Sequence, residues 1–381
     1  MKLLIFCPYY PPHTGGLESH ADEFNKYLSQ RGIDITVFTP KLPKNSPESE
    51  ILYNNVKIIR FPAFEIISNY PLPKFWSLKF WSLFLRLFNQ KFDITISRTR
   101  FFNTSLLTLI YAKIKKVRWI HIEHGSDFVK LSSNFKTAIA KSYDYTFGFL
   151  IFRFSDLNIS ISKAVQKFVF KFDKRESPII YRGLDFEAIE KIIPDLETKK
   201  EFENKIIISF IGRLYKWKGV ENSIEAIKLL PKDLKEKIVF LIIGDGEDFQ
   251  YLEKISKKES CVKMFGNLPR EKVISILKIS DIYLHSSMPG GGLSTSLLEA
   301  MACGCAIIAT PNEGADEVIQ DNQNGLLIEK SEKELVAKKI TELILDKEKI
   351  KRYKKNNKIK LNINFGWENS IEKYLEILKN D

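Results

Sequence analysis

Short β-branched and apolar runs alternate with longer helical stretches along this chain, in two successive series. The first series predicts strands at Leu3–Cys7, Ile35–Phe38, Val56–Phe61, Ile94–Ser97, Trp119–His124, Leu157–Ile161 and Ile179–Ile180, with helices such as Gly16–Ser29 and Ser105–Lys115 between them. The charged stretch Glu197–Asn204 interrupts and reads as a linker. A second series then predicts strands at Ile206–Ile211, Val239–Ile243, Val262–Phe265, Ile282–His285, Ala306–Ala309 and Leu326–Ile328, and a last helix over Trp367–Leu378 after a break at 362–366. Alternation of this kind argues for βαβ units and parallel sheets. The expected fold class is α/β, with two Rossmann-like domains facing across a cleft lined by strand C-termini and helix N-termini.

The bulk properties fit that reading. A chain of 381 residues exceeds one ordinary core and suits two. No apolar run approaches the roughly 18 residues of a spanning helix, and the apolar start, which runs into Pro11–Pro12, reads as a first strand rather than a signal peptide. Four scattered cysteines supply neither a disulfide framework nor a zinc-ligand set, which points to a reducing, cytoplasmic setting. The net charge of +12 favours anionic partners, such as phosphate-bearing substrates or anionic lipid, although the basic run Lys351–Lys360 also fits a solvated helix. No recognisable nucleic-acid-binding motif accompanies the charge.

Three segments carry chemistry. Pro11–Glu18 holds Gly15 and Gly16 between the first strand and first helix, where a helix N-terminus offers free N–H groups to an anion. An ordinary βα turn would look the same. Gly212–Gly219 places Arg213 and Lys218 after the first strand of the second series, where a guanidinium and an ammonium can hold phosphate oxygens, or can be plain surface cations. Met288–Ala302 runs three glycines into a helix capped by Ser294 or Thr295, the geometry of an anion cradle. Farther along, Glu299 sits among apolar neighbours. It needs a partner there, either ribose hydroxyls or an internal salt bridge.

In their order and spacing these segments resemble the family 4 retaining glycosyltransferases of the GT-B fold (glycosyl transferases group 1) over nearly the whole chain. Pro8–Glu18 looks like that family's first donor loop, and His124–Gly125 like its histidine near the reacting sugar. Ser155–Lys163 and Ile180–Asp185 resemble further landmarks of the first domain. Gly212–Arg213 with Lys218–Gly219, Gly244–Gly246, Phe265–Gly266, Leu298–Ala302 and Asn324–Leu327 follow in family order. Two departures stand out. The family commonly has two glutamates separated by seven residues; the later matches Glu299, but Gly291 occupies the earlier position, where the family's carboxylate contacts the donor sugar. The family's usual Asn before the glycine of the Ile180–Asp185 landmark is Arg182.

The resemblance implies an acceptor-binding domain over residues 1–190, with 366–381 packing back on it, and a nucleotide-sugar-binding domain over 205–365. It implies transfer of a hexose-type sugar from a nucleotide diphosphate-sugar with retention. Arg213, Lys218 and the amides of Gly291, Gly292, Leu293, Ser294 and Thr295 would hold the diphosphate, Glu299 the ribose, and Gly266 and Asn267 the base. His124 would hydrogen-bond the sugar or the attacking hydroxyl; the alternative is a structural histidine at a strand end. No Asp-X-Asp sequence occurs, so neither metal nor other cofactor is expected.

The stretch Phe75–Phe88 sets Trp76, Phe80, Trp81, Leu83, Phe84, Leu85 and Leu87 around a polar stripe of Lys79, Ser82, Arg86 and Asn89, and Phe147, Phe149, Phe152 and Phe154 surround Arg153. Such amphipathic, basic-edged segments suit a peripheral site on the inner face of a membrane and a polyprenyl-diphosphate-linked or other glycolipid acceptor; both could equally pack as core helices. A sugar-nucleotide-binding subunit without activity, motivated by Gly291, and a non-hydrolysing sugar-nucleotide epimerase are the competing readings.

Overall fold

The computed structural model describes residues 1–379 apart from 14, 68–69, 130–133 and 290. Thr14 and Gly290, both within motifs singled out above, lie outside the described residues. The chain divides into two compact units, Met1–Gly183 with Trp367–Asp381, and Leu184–Gly366.

The first unit carries strands β1 (Lys2–Phe6), β2 (Asp34–Pro40), β3 (Ser49–Leu52), β4 (Val56–Phe61), β5 (Ala63–Ile67), β6 (Tyr70–Pro73), β7 (Ile94–Arg98), β8 (Arg118–Glu123) and β9 (Leu157–Ser160). Its main sheet runs β3-β4-β2-β1-β7-β8-β9, parallel except at the antiparallel edge strand β3. β1 is a continuous apolar run because both of its faces are covered: Leu3 and Ile5 enter one core cluster, Leu4 and Phe6 another. The edge strand β3 and the small hairpin β5–β6 have no counterpart among the strands expected from sequence; they are four or five residues long, and Pro71 and Pro73 disguise the second hairpin strand. The expected strand Ile179–Ile180 reduces to a single bridge between Ser160 and Ile179.

The final helix, Trp367–Lys379, returns to this first unit. Trp367, Ile371, Tyr374, Leu375 and Leu378 join its core, and Trp367 Nε1 donates to Glu23 Oε2 at 2.9 Å. Gly183 must be glycine here, because a Cβ would lie 2.6 Å from Trp367 Cα.

The second unit holds β10 (Ile206–Ile211), β11 (Ile238–Ile243), β12 (Val262–Gly266), β13 (Ile282–His285), β14 (Ala306–Ala309) and β15 (Gly325–Leu327), in the order β12-β11-β10-β13-β14-β15 and parallel throughout. The stretch expected to be a linker is instead part of this unit. Leu196–Glu201 is helical, capped by Asp195, whose other carboxylate oxygen meets Lys272 Nζ at 2.7 Å. Its charges are the solvated face of a docked helix, which composition cannot distinguish from a tether. Lys351–Lys360 likewise belongs to a helix, Lys347–Asn364, which buries Tyr353 and Asn357 and runs farther than the expected break at 362.

Burial of Trp367 makes a direct prediction. Trp367→Ala should destabilise the first unit by about 3–5 kcal/mol, read as a shift of its transition in urea unfolding, with the second unit's transition unmoved.

Candidate functional site

Each sheet reverses its winding beside its first strand. In the second unit the reversal lies between β10 and β13, which pair directly, and open α/β sheets bind ligands at the carboxyl ends of such strands. The loops leaving β10 and β13 are the two that carry Arg213 and Lys218, and Gly291–Ser294.

Arg213 is exposed, and its guanidinium has no hydrogen-bond partner among the described residues. Lys218 ends a short 3-10 turn, Lys216–Lys218, before Gly219. Gly219 has φ 68, and a Cβ on it would stand 2.2 Å from the Ser286 carbonyl oxygen, so glycine lets the β10 loop lie against the β13 loop. Lys218 Nζ donates to both carboxylate oxygens of Glu313, at 2.8 Å each. Glu313 follows β14, and no motif in the sequence marks it. Burial opposes its ionisation, but Lys218 and His285 outweigh that and hold it below the ordinary carboxylate range. The two expected cations therefore differ. Arg213 is available to a ligand, whereas Lys218 is half of a part-buried ion pair.

Ser294 caps the helix Thr295–Ala302, its hydroxyl accepting from Leu297 N. The Ser294 N–H donates to the Glu313 carbonyl at 3.0 Å. This corrects the expectation that its amide is available to a phosphate; Gly292 and Leu293 are the loop amides left for that purpose. Glu299 lies on this helix, 5% exposed, and accepts from Arg270 Nε at 2.9 Å. Of the two partners considered, the salt bridge is the one the structure shows. Arg270 begins the helix that follows Gly266 and the exposed Asn267, so Glu299 and that turn form one cluster. Lys218, Gly291 and Ser294 form a second, gathered around Glu313.

The first unit builds its own polar cluster. Gly15 precedes the helix Gly16–Gln30, and Gly16 O accepts from Arg182 Nη1 at 2.8 Å. Arg182 also donates to Glu23 at 3.3 Å, so its charge is neutralised inside this unit. His124 follows β8, at a loop held by Glu123: one carboxylate oxygen accepts the N–H groups of His124 and Gly125, at 2.9 and 2.6 Å, and also Arg100 Nη1 at 3.0 Å. The His124 ring sits 5.1 Å from that of His20, with Nδ1 on Thr99 Oγ1 at 3.2 Å. Its Nε2 is buried without a hydrogen-bond partner among the described residues. Burial, reinforced by the charge of buried Arg98, pushes its pKa down to about 3, so it is a neutral imidazole at ordinary pH. Arg98, Arg100 and His20 belong to no sequence motif. Arg98 ends β7 and Arg100 follows it, while His20 sits on the helix Gly16–Gln30; their signal is a polar residue at a position where an apolar core is expected.

The chain matches the family model for glycosyl transferases group 1 over residues 193–360 and that for glycosyltransferase family 4 over residues 14–188. It belongs to this glycosyltransferase family, and its fold is GT-B. An uncharacterised glycosyltransferase of Methanocaldococcus jannaschii, MJ1069, is 49% identical over 386 residues, covering 100% of this chain and 98% of the relative. The phosphatidylinositol N-acetylglucosaminyltransferase GPI3 subunit of Saccharomyces cerevisiae is 24% identical, covering 84% and 70%. Among solved structures, Anabaena HepE in complex with UDP and glucose superposes with a TM-score of 0.75 at 19% identity, covering 99% of both chains.

The state of His124 gives a pH prediction. Its folded pKa lies below the ordinary value of 6.5, so the unfolded chain binds the proton first. Its contribution to stability is therefore intact above pH 6.5 and is lost as pH falls from 6.5 towards 3, by at most about 1.4 kcal/mol per pH unit. His124→Asn should flatten the fall in stability over that window, measured by unfolding at a series of pH values.

Proposed function

We propose that this glycosyltransferase moves a hexose-type sugar from a nucleotide diphosphate-sugar to a lipid-linked glycan acceptor, with retention of configuration, in cell-surface polysaccharide or glycolipid synthesis. The observation that carries the donor half is the pairing of β10 with β13, which brings an unpaired guanidinium, Arg213, and a glycine loop entering a helix to one sheet edge. Fixed positive charge there stabilises the negative charge that develops on a leaving diphosphate, without calling on a metal ion. UDP bound in the HepE structure supports a nucleoside diphosphate as the leaving group. His124, neutral and with Nε2 lacking a protein partner among the described residues, is suited to hydrogen-bond a sugar or acceptor hydroxyl. Retention follows most simply if the leaving phosphate accepts the acceptor's proton on the face it departs from.

The acceptor half rests on the surface of the first unit. The helix Leu78–Phe88 buries Phe80, Phe84 and Leu87 and exposes Leu78, Trp81 and Leu85. Core packing and an exposed apolar surface therefore coexist in it, one on each face. Lys115 Nζ on the Phe88 carbonyl, at 2.9 Å, and Lys113 over the Phe154 ring, at 5.5 Å, tie this helix through Asn103–Lys115 to Phe149–Phe154. The connected helices expose Ile110, Ile114, Phe149 and Phe154 as well, with Phe147 just before them. Phe152 is the exception: it is fully buried, in the core rather than on the surface. No helix among the described residues is long and apolar enough to cross a membrane, so this face suits contact with an anionic leaflet from one side. The phosphatidylinositol acceptor in the name of the yeast relative supports a lipid.

Arg213→Ala tests the donor site most cleanly. It should lower turnover roughly 10²–10³-fold while changing stability by less than about 0.5 kcal/mol, in a mass-spectrometric transfer assay over a panel of nucleoside-diphosphate hexoses. Near-normal turnover in the folded variant defeats the assignment, and interconversion of the donor without an acceptor identifies an epimerase. Lys218→Ala is the poorer test, because it strands Glu313 and should itself destabilise the unit by about 3–5 kcal/mol. For the acceptor face, Trp81→Ser with Leu85→Ser should weaken flotation with anionic vesicles by roughly tenfold or more and leave UDP affinity unchanged. Absence of flotation by the natural chain at both low and high salt overturns the membrane claim.

A further inference from the structure

Gly291 and the Glu313 side chain share one volume. Gly291 is not in the left-handed region, so its backbone makes no demand for glycine. The demand comes from Glu313: a Cβ on Gly291 would fall 2.2 Å from Glu313 Oε1 and 2.9 Å from its Cγ and Cδ. Glu313, conversely, has φ 51, a conformation in which glycine is comfortable and a longer side chain is strained. A side chain is thus absent where the backbone would accept one and present where the backbone disfavours it. The strained conformation is held by the Glu313 carbonyl on Ser294 N and by Lys218 on the carboxylate.

We propose that Glu313 reaches from the loop after β14 into the volume a side chain at 291 would fill, where it orients Lys218 and accepts a hydrogen bond from a hydroxyl of the donor's sugar. This rests on the donor reading above. A bare carboxylate beside the phosphate cradle would repel the diphosphate. Lys218 removes that net charge; His285 Nε2, 3.4 Å from Oε2, and Ser287 also face the carboxylate, but a carboxylate offers about four acceptor positions, so it can still take a further hydroxyl. Neutral hydroxyls are the groups that fit it. Glu299, neutralised by Arg270 in the same way, stands on the helix that leaves the glycine loop. A nucleotide diphosphate-sugar carries hydroxyls on both sides of its phosphates, and the site has a paired carboxylate for each.

Moving the carboxylate back tests this. Glu313→Gly should lower donor turnover on the order of tenfold to a hundredfold, and Gly291→Glu alone should do the same, because two carboxylates then compete for one volume. The double variant, with Glu at 291 and Gly at 313, should recover to within about tenfold of the natural chain. Turnover is measured with the best donor of the nucleoside-diphosphate hexose panel, alongside the inhibition constant of the matching nucleoside diphosphate and the melting temperature. Loss of a sugar contact raises the KM of the donor relative to that inhibition constant, whereas a purely structural role moves the two together. The proposal is overturned if the folded double variant is no more active than Glu313→Gly, or if Glu313→Gly keeps natural turnover. Should the double variant not fold, Glu313→Gln keeps the shape and removes the charge, and an unchanged KM for the donor overturns the proposal equally. Failure of the natural chain to bind UDP, GDP or ADP would instead defeat the donor reading itself, and this inference with it.

Discussion

Parallel pairing on both edges of one central strand governs each half of this molecule. β1 lies between β2 and β7, and β10 between β11 and β13. A parallel neighbour can be reached only through a right-handed crossover, so winding outward in both directions sends helices to both faces of the sheet. The loops that leave the central strand and its later neighbour then diverge, and a gap opens at their carboxyl ends. The placement of Lys218 near Gly291, and of the helix after Gly15 near His124, follows from that topology. Both pairs are far apart in sequence.

Burial of charge is the second organising element. Within the first unit, Arg100 is shared between Glu123 and Asp144, and Glu123 in turn receives the amides that set the His124 loop. Within the second, Glu313 ties three segments together: its carboxylate takes Lys218, its carbonyl takes Ser294, and its side chain fills the space at Gly291. Breaking a buried pair leaves a charge in a poorly solvated setting, at a cost of several kcal/mol. These pairs therefore fix the positions of loops that would otherwise be free to move, and they do so at the sheet edge where the ligand is proposed to bind.

Much of this was legible from residue order. The strands β4, β10, β13 and β14 coincide with the runs expected from the sequence: β10, β13 and β14 are buried almost throughout and so read as short, mostly apolar runs, whereas β4 keeps its β-branched residues but exposes Lys57. The glycine loops were equally visible, since consecutive glycines ahead of a Ser or Thr cap mark the junction of a loop with a helix. The unit boundary was less so. Glu197–Asn204 is as charged as a tether, and only the docking of Asp195 onto Lys272 and Ser275 shows that it belongs to the second unit.

Periodicity and motif order are local properties of a chain, and they suffice for the two α/β units, for a closing helix from Trp367 and for the family to which the loops belong; that this helix returns to the first unit was implied only by the resemblance. The sequence by itself did not determine which polar groups are free. Arg213 and Lys218 sit five residues apart in one motif, yet one guanidinium is open and the other cation is held by Glu313, 95 residues away. Gly291 looked like a missing carboxylate for the same reason. Only the tertiary structure shows that a carboxylate already stands there, brought in from another loop, since two side chains competing for one volume leave no trace in sequence spacing.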